Sequence, residues 1–293
     1  MRLFKEQAGR TVMFILTVLP TLLLVLMFFG LFWKSRAILA LKSFGDLLFS
    51  SGWHPLRGEF GLFPFLMGTL WVTAVALVIA IPISLLTAVY LSEYAPRGFR
   101  EFAKPIIDLL SGIPSVIFGV WGVLVIVPLV SRVAPLFGKY SSGYSVLAGG
   151  IVLAIMIFPT IIHISIEVFS AIPFPLREAS LSLGATRWET TRHVVLRKGS
   201  QGIIAACALG FSRALGETMA VLMVVGNVPV APKSVFDAGY PLPALIANNY
   251  GEMMSVPLYD SALMLAALVL FMVVLTFNIL ARWFLVRAER RAE

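Results

Sequence analysis

Residues 173–196 read PFPLREASLSLGATRWETTRHVVL, a polar interval between two long apolar stretches, Tyr140–Ile166 and Gly199–Pro232. Pro173 and Pro175 stop the helix before them and can open another, because a proline's missing amide costs nothing in a first turn. Leu176, Ala179, Leu183 and then Thr186 or Arg187 recur at helical spacing. Gly184 can end that short helix, and Ala185–Val195 can form a second. A short amphipathic helical hairpin between apolar spans is a docking surface. The competing reading, a helix lying on lipid headgroups, draws on Arg187, Arg192 and Arg197.

Working outward, further runs without Asp, Glu, Lys or Arg occur at Thr11–Trp33, Phe60–Ser92, Leu109–Ser131 and Ser261–Ala281. Each exceeds the roughly 20 residues that cross a bilayer. Gly199–Pro232 is interrupted only by Arg213 and Glu217. The expected fold is all-α: one polytopic membrane domain over 1–293 with six transmembrane helices. The spans are expected at about 11–33, 64–91, 107–130, 146–169, 200–226 and 261–284, with a short docking helix in the 173–196 loop between the fourth and fifth. Phe60–Ser92 is too long for one span, so its first residues are expected at the surface. The N-terminal run is longer than the roughly 7–15 apolar residues of a signal peptide and reads as a retained anchor. Pro82, Pro114, Pro128 and Pro159 fall within spans and invite kinks, in moving and static bundles alike.

Composition agrees. Of the 293 residues 59% are apolar and 13% charged, against ~25% charged in soluble domains, and the mean hydropathy is +0.93. These values exclude soluble enzymes and nucleic-acid-binding proteins, despite a net charge of +8. Basic residues are instead expected in cytoplasmic loops against anionic lipid. With the N-terminus inside, 15 Lys and Arg lie inside and 7 outside, so both termini are expected in the cytoplasm. The inner set comprises the N-terminal segment, Arg97, Arg100 and Lys104, the 173–198 loop, and a tail with Arg282, Arg287, Arg290 and Arg291. A lone Cys207 leaves no partner for an internal disulfide.

No chemistry of bond-making is visible. A glycine-rich phosphate loop ending in Lys-Ser or Lys-Thr is absent, and so is a Gly-x-Ser-x-Gly elbow. His54, His163 and His193 are scattered without zinc spacing and read as packing or interfacial residues. No metal and no cofactor is expected on this chain.

The exception to an apolar span is Ser212-Arg213-Ala214-Leu215-Gly216-Glu217-Thr218-Met219-Ala220-Val221. An arginine facing lipid near the bilayer centre costs ~2.5–3.5 kcal/mol. Glu217, four residues on, would share a face with Arg213 in a continuous helix and can pair with it. One reading is a buried pair that sets helix register. The other has Arg213 facing an aqueous pathway and offering its planar guanidinium to an oxyanion, held by Glu217. Ser115, Ser212 and Thr218 are candidate hydroxyl contacts there, set against the commoner habit of span hydroxyls to bond their own backbone.

The loop resembles the motif of ABC importer permeases: Glu-Ala-Ala, three residues, Gly, nine residues, then Ile-x-Leu-Pro. Here it reads Glu178-Ala179-Ser180, Gly184 and Val194-Val195-Leu196, with Ser180 for the second Ala and Arg197 for Pro. More widely the chain resembles the PstC-type permease subunits of bacterial phosphate importers. Ser51-Gly-Trp-His-Pro, Gly68-Thr-Leu, Tyr90-Leu-Ser-Glu-Tyr-Ala-Pro, Leu110-Ser-Gly-Ile-Pro-Ser-Val-Ile-Phe-Gly, Arg213-Ala-Leu-Gly-Glu-Thr-Met-Ala-Val and Leu245-Ile-Ala-Asn-Asn-Tyr-Gly-Glu252 carry that likeness, with Asn249 where an acidic residue is common. The resemblance implies a non-catalytic subunit of a bacterial inner-membrane phosphate importer. It also implies a second, PstA-type permease, a cytoplasmic ATPase dimer carrying ATP and Mg, and an extracytoplasmic phosphate-binding protein. Glu178, Ala179, Ser180, Gly184 and Trp188 would seat the coupling element in the ATPase. Sulfate or molybdate import, a secondary anion transporter and a non-transporting scaffold are the alternatives. The absence of inverted repeats weighs against a secondary transporter.

Overall fold

A computed structural model describes residues 2–252 and 255–289; Arg290 and Arg291 of the basic tail lie outside the described residues. In chain order the elements are α1 (Arg2–Leu39), α2 (Phe44–Phe49), β1 (Trp53–His54), β2 (Glu59–Phe60), α3 (Phe63–Val89), α4 (Arg97–Gly112), α5 (Ser115–Trp121), α6 (Val127–Val133) and α7 (Val146–Ser170). They continue with α8 (Phe174–Ser182), α9 (Arg187–Thr190), α10 (Leu196–Lys198), α11 (Ser200–Gly216), α12 (Met219–Val224), α13 (Leu242–Asn249) and α14 (Tyr259–Glu289). The two short strands pair antiparallel, Trp53 with Phe60 and His54 with Glu59.

Among the described residues five helical segments are long and apolar enough to cross a membrane: Gly9–Leu39, Phe63–Tyr94, Ser115–Phe137, Val146–Ser170 and Tyr259–Trp283. A sixth is added if Arg187–Lys198 and Ser200–Gly216, bent by 68° at Gly199, count as one span. The all-α, polytopic class follows.

Two expected spans differ. The third was expected over 107–130, but the helix breaks at Ile113 and Pro114, both extended (Pro114 φ −58°, ψ 140°), and the apolar rod runs from Ser115. The residue before a proline is pushed out of the helical region, so Ile113 ends one helix and Pro114 opens the next. Residues 107–112 belong instead to amphipathic α4, which buries only Ile107. By contrast, Pro82 and Pro159 sit inside continuous helices. The fifth span was expected unbroken over 200–226; it stops at Gly216 and restarts at Met219.

The core forms between α3 and α7. Small residues Thr69, Thr73, Ala76, Ala80, Ser84 and Ala88 line the buried side of α3. Across from them on α7 lie Gly149, Gly150, Leu153, Ala154 and Ile157, with Ile162 and Ile166 against Ala88, all buried. A side chain at Gly150 would strike Val75, so the close approach requires glycine there. Small residues let membrane helices pack backbone to backbone where lipid supplies no hydrophobic driving force.

α1 stands apart. It packs on α14 near Ser35 and Ile38, where Ser261 Oγ donates to the Lys34 carbonyl at 3.0 Å and accepts from the Ile38 amide at 3.2 Å. Its apolar residues from Val12 to Trp33 are otherwise mostly exposed. At the end opposite α8, residues 226–241 fold back over α3 and α7. There the Leu242 amide donates to Thr69 Oγ1 at 2.8 Å, and the Val146 amide to the Asp237 carbonyl at 2.9 Å.

Candidate functional site

α11 carries Arg213 one turn before its end, on an exposed face. Arg213 Nη1 donates to Thr160 Oγ1 of α7 at 2.9 Å. A guanidinium has five N–H donors in a planar fork; one is spent fixing its position, and among the described residues the others remain open.

The expected Arg213–Glu217 pair does not form. Gly216 is a poor helix former, and at Glu217 the backbone turns extended (φ −73°, ψ 128°). The four-residue spacing therefore no longer places both on one face. Glu217 is half-buried beside a small cavity lined in part by Thr69, Thr73, Leu153 and Pro241. Its Oε1 accepts the Ala220 amide at 3.4 Å, serving the otherwise unpaired first turn of α12. Arg213 thus keeps a positive charge that no carboxylate of this chain offsets among the described residues.

Ser212 is drawn away as well. Its Oγ shares its proton between the Ala208 carbonyl at 3.0 Å and Asn278 Oδ1 of α14 at 2.8 Å. Thr218 Oγ1 donates to the Gly216 carbonyl at 3.3 Å. Both hydroxyls therefore have local partners. Ser115, half-buried at the start of α5, lies one turn before Gly119, which packs on Ala220 and Met223 of α12.

His163 is not a bystander in packing: its Nε2 lies 2.8 Å from Asp108 Oδ1 of α4. Sequence reading missed this pair and Thr160. The legible signal was Thr160, His163 and Glu167 at positions i, i+3 and i+7 of a largely apolar span. Among the described residues no group of three or more His, Cys, Asp or Glu is placed to hold a metal ion.

The second cluster lies at the α8 end. α8 has no buried residue, and Phe174, Leu181, Leu183 and Trp188 are exposed. Glu178 and Ala179 are exposed too. Gly184 has φ +85°, and the amides of Gly184 and Ala185 return to the carbonyls of Leu181 (3.0 Å) and Ser180 (3.3 Å). That pairing is the left-handed helix stop for which glycine is best suited. Thr186 then caps α9: its Oγ1 accepts the Glu189 amide at 3.2 Å, and Glu189 Oε2 accepts the Thr186 amide at 2.7 Å. These bonds from the Thr186 amide and hydroxyl hold the Glu189 carboxyl below its usual range. Ser180, where the family motif has Ala, bridges the two helices through Thr190, hydroxyl to hydroxyl at 2.9 Å.

What fastens α8 to the bundle is Arg177. Its guanidinium donates to both oxygens of Glu93, at 3.1 and 2.8 Å, and to the carbonyls of Ile172 (2.6 Å) and Phe169 (2.8 Å). Arg177 therefore closes the end of α7 while gripping the turn that ends α3. Gly199, pressed between the Phe169 ring and the Val195 carbonyl, turns the chain into α11 without the proline usual nearby.

Residues 84–293 match the family described as "Binding-protein-dependent transport system inner membrane component". The "Phosphate transport system permease protein PstC" of Xylella fastidiosa (strain 9a5c) is 36% identical over 277 residues, covering 89% of this chain and 85% of that protein. The "Probable ABC transporter permease protein YqgH" of Bacillus subtilis (strain 168) is 38% identical over 240 residues, covering 81% and 76%. A bacterial alginate ABC transporter, solved with a pentasaccharide-bound periplasmic protein, superposes with a TM-score of 0.62 at 16% identity, covering 94% of each chain. That likeness carries the fold alone. With several apolar helices and this family match, the protein is a multi-pass inner-membrane protein, and the chain belongs to the family of binding-protein-dependent transport system inner membrane components.

Proposed function

We propose that this chain is a permease subunit of an ATP-driven importer of inorganic phosphate, lining half of the pathway and coupling it to a separate ATPase. The observation that carries the reading is Arg213, an exposed guanidinium within an apolar helix, positioned by Thr160 and unpaired with Glu217. Such a charge is costly against lipid and useful beside an anion. The relatives named for phosphate transport select phosphate among tetrahedral oxyanions; one arginine does not.

In this reading both termini and α8 lie in the cytoplasm. A PstA-type permease completes the pathway against the exposed face of α7 and α11. An ATPase dimer, holding ATP and Mg, receives α8 with Glu178, Ala179, Ser180, Gly184 and Trp188. A phosphate-binding protein delivers substrate at the opposite end. When the ATPases close, α8 moves, and Arg177 passes that movement to the ends of α3 and α7. The released phosphate meets the free N–H groups of Arg213 and leaves inward after hydrolysis.

The test is uptake of radiolabelled phosphate into vesicles holding this chain, its sister permease and the ATPase, with loaded binding protein on the substrate side. ATP-dependent uptake that sulfate does not compete is expected. Uptake of sulfate or molybdate instead moves the substrate but keeps the mechanism. No oxyanion uptake by the assembled complex overturns the reading in favour of a scaffold.

A further inference from the structure

Thr160 and His163 are three residues apart on α7, about one helical turn and ~4.5 Å along the axis. They share a face, and His163 is the one nearer the α8 end. Thr160 holds Arg213, and His163 holds Asp108 at 2.8 Å. The side chains of His163 and Asp108 are 36% and 64% exposed, so the pair is not locked in a core. Around them α7 turns Ile161, Ile162, Ser165 and Ile166 inward, leaving this one polar strip on the open side. An imidazole on the open face of an apolar helix, with a carboxylate of α4 against it, is poorly tolerated by hydrocarbon and well tolerated by a water-filled path.

Asp108 is also lightly held. It rides on α4, which buries only Ile107 and ends at the extended Ile113–Pro114 step. A carboxylate oxygen and a phosphate oxygen are equivalent acceptors for an imidazole N–H. An anion moving from Arg213 toward the α8 end next meets an imidazole whose N–H is already occupied by a displaceable acceptor.

Resting on the phosphate reading above, we propose that His163 and Asp108 form a second anion station on the path, inward of Arg213, where Asp108 holds the imidazole N–H until a phosphate oxygen takes its place. The nearby carboxylate has a further effect. It keeps the station weak, and conduction needs sites that bind well enough to be entered and poorly enough to be left.

The experiment uses the assembled complex in vesicles. His163→Leu is expected to lower phosphate uptake about tenfold or more, the worth of one hydrogen bond to a charged group, while the amount of assembled complex recovered from the membrane stays near wild type. Asp108→Asn is expected to make phosphate on the ATPase side inhibit at a several-fold lower concentration. A third variant, His163→Cys in a Cys207→Ser background, should react with a sulfonate-bearing methanethiosulfonate from the ATPase side, more slowly when phosphate is present. Wild-type uptake and wild-type product inhibition in the first two overturn the station. So does a Cys at 163 that is unreactive or unprotected by phosphate, which covers any variant that misassembles. If Arg213→Gln abolishes uptake while these variants change nothing, the station alone is lost. If the unmodified complex carries no phosphate, the underlying reading falls with it.

Discussion

Arg213 of α11 donates to Thr160 of α7 across 2.9 Å, and these two residues lie 53 positions apart in the chain. Glu217, only four positions from Arg213, faces a different side of the bundle. The neighbour in sequence is therefore not the neighbour in charge. A guanidinium held by a neutral hydroxyl keeps its full attraction for an anion, whereas one held by a carboxylate would first have to exchange partners.

Arg213→Gln should lower phosphate uptake about tenfold or more, because a hydrogen bond from a charged donor contributes ~1.5–3 kcal/mol. Membrane insertion should be unchanged, as judged by the amount of complex recovered from the membrane. Normal uptake would discard the pathway role.

Thr160→Val removes the hydroxyl that positions Arg213 while keeping the shape. Uptake should fall about two- to tenfold, in line with a neutral partner's ~0.5–1.5 kcal/mol, and Thr160→Ser should restore most of it. Equal rates for the Val and Ser variants would show that the contact does not matter.

Arg177 and Glu93 have side chains only 13% and 12% exposed. Breaking such a pair from one side typically costs ~3–5 kcal/mol. Arg177→Ala should lower the thermal stability of the complex and its ATP-driven uptake together. Glu93→Ala added to it should cost less than the two single losses combined, since no orphaned charge remains. Additive losses in a double-mutant cycle would deny the coupling.

Gly184 at φ +85° leaves no room for an ordinary side chain's backbone preference. Gly184→Ala should cost ~1–2 kcal/mol locally and weaken association with the ATPase. Glu178→Lys, on an exposed surface with no internal partner to lose except its backbone, should weaken the same association without that local cost. Co-purification of the ATPase with each variant is the measurement, and undiminished recovery with both would remove α8 from the interface.

Glu189 supplies a pH dependence whose sign is fixed. Its carboxyl lies below the ordinary 4.5 because Thr186 bonds the ionised form. The stabilisation of α9 is therefore present above that ordinary value and is lost as pH falls through the lower folded value. Amide protection at Thr186–Thr190, taken relative to the intrinsic exchange rate at each pH, should fall on acidification below that ordinary value, and Glu189→Gln should show the weaker protection already at neutral pH. Unchanged exchange in that variant would mean that the cap contributes nothing.

Much of this protein is local and was legible along the chain. An apolar run longer than a bilayer is thick has one stable answer, a helix, so the membrane spans announce themselves. Gly184 stops α8 because a left-handed residue was needed there, and Arg213 stood out because a charge in a span requires a reason. Local rules were less secure at the breaks. Leu109–Ser131 reads as one span by composition, yet Pro114 forces Ile113 extended and hands residues 107–112 to α4. Gly199–Pro232 also reads as one helix, yet Gly216 is followed by a turn that the packing of α12 on α5 and α7 makes worthwhile.

The sequence by itself determined that the chain lives in a membrane, where the α8 hairpin turns, and that Arg213 interrupts an otherwise apolar stretch shared only with Glu217. Only the tertiary structure decided what Arg213 touches, that Asp108 meets His163, and that Arg177 ties α8 to Glu93, 84 residues away. The physical reason is the range of the forces. Helix formation and capping act within a few residues, so they leave periodic marks in the chain. Pairings between helices depend on which faces meet and at what depth, and small residues such as Gly150 that set those depths carry no trace of the partner they will find.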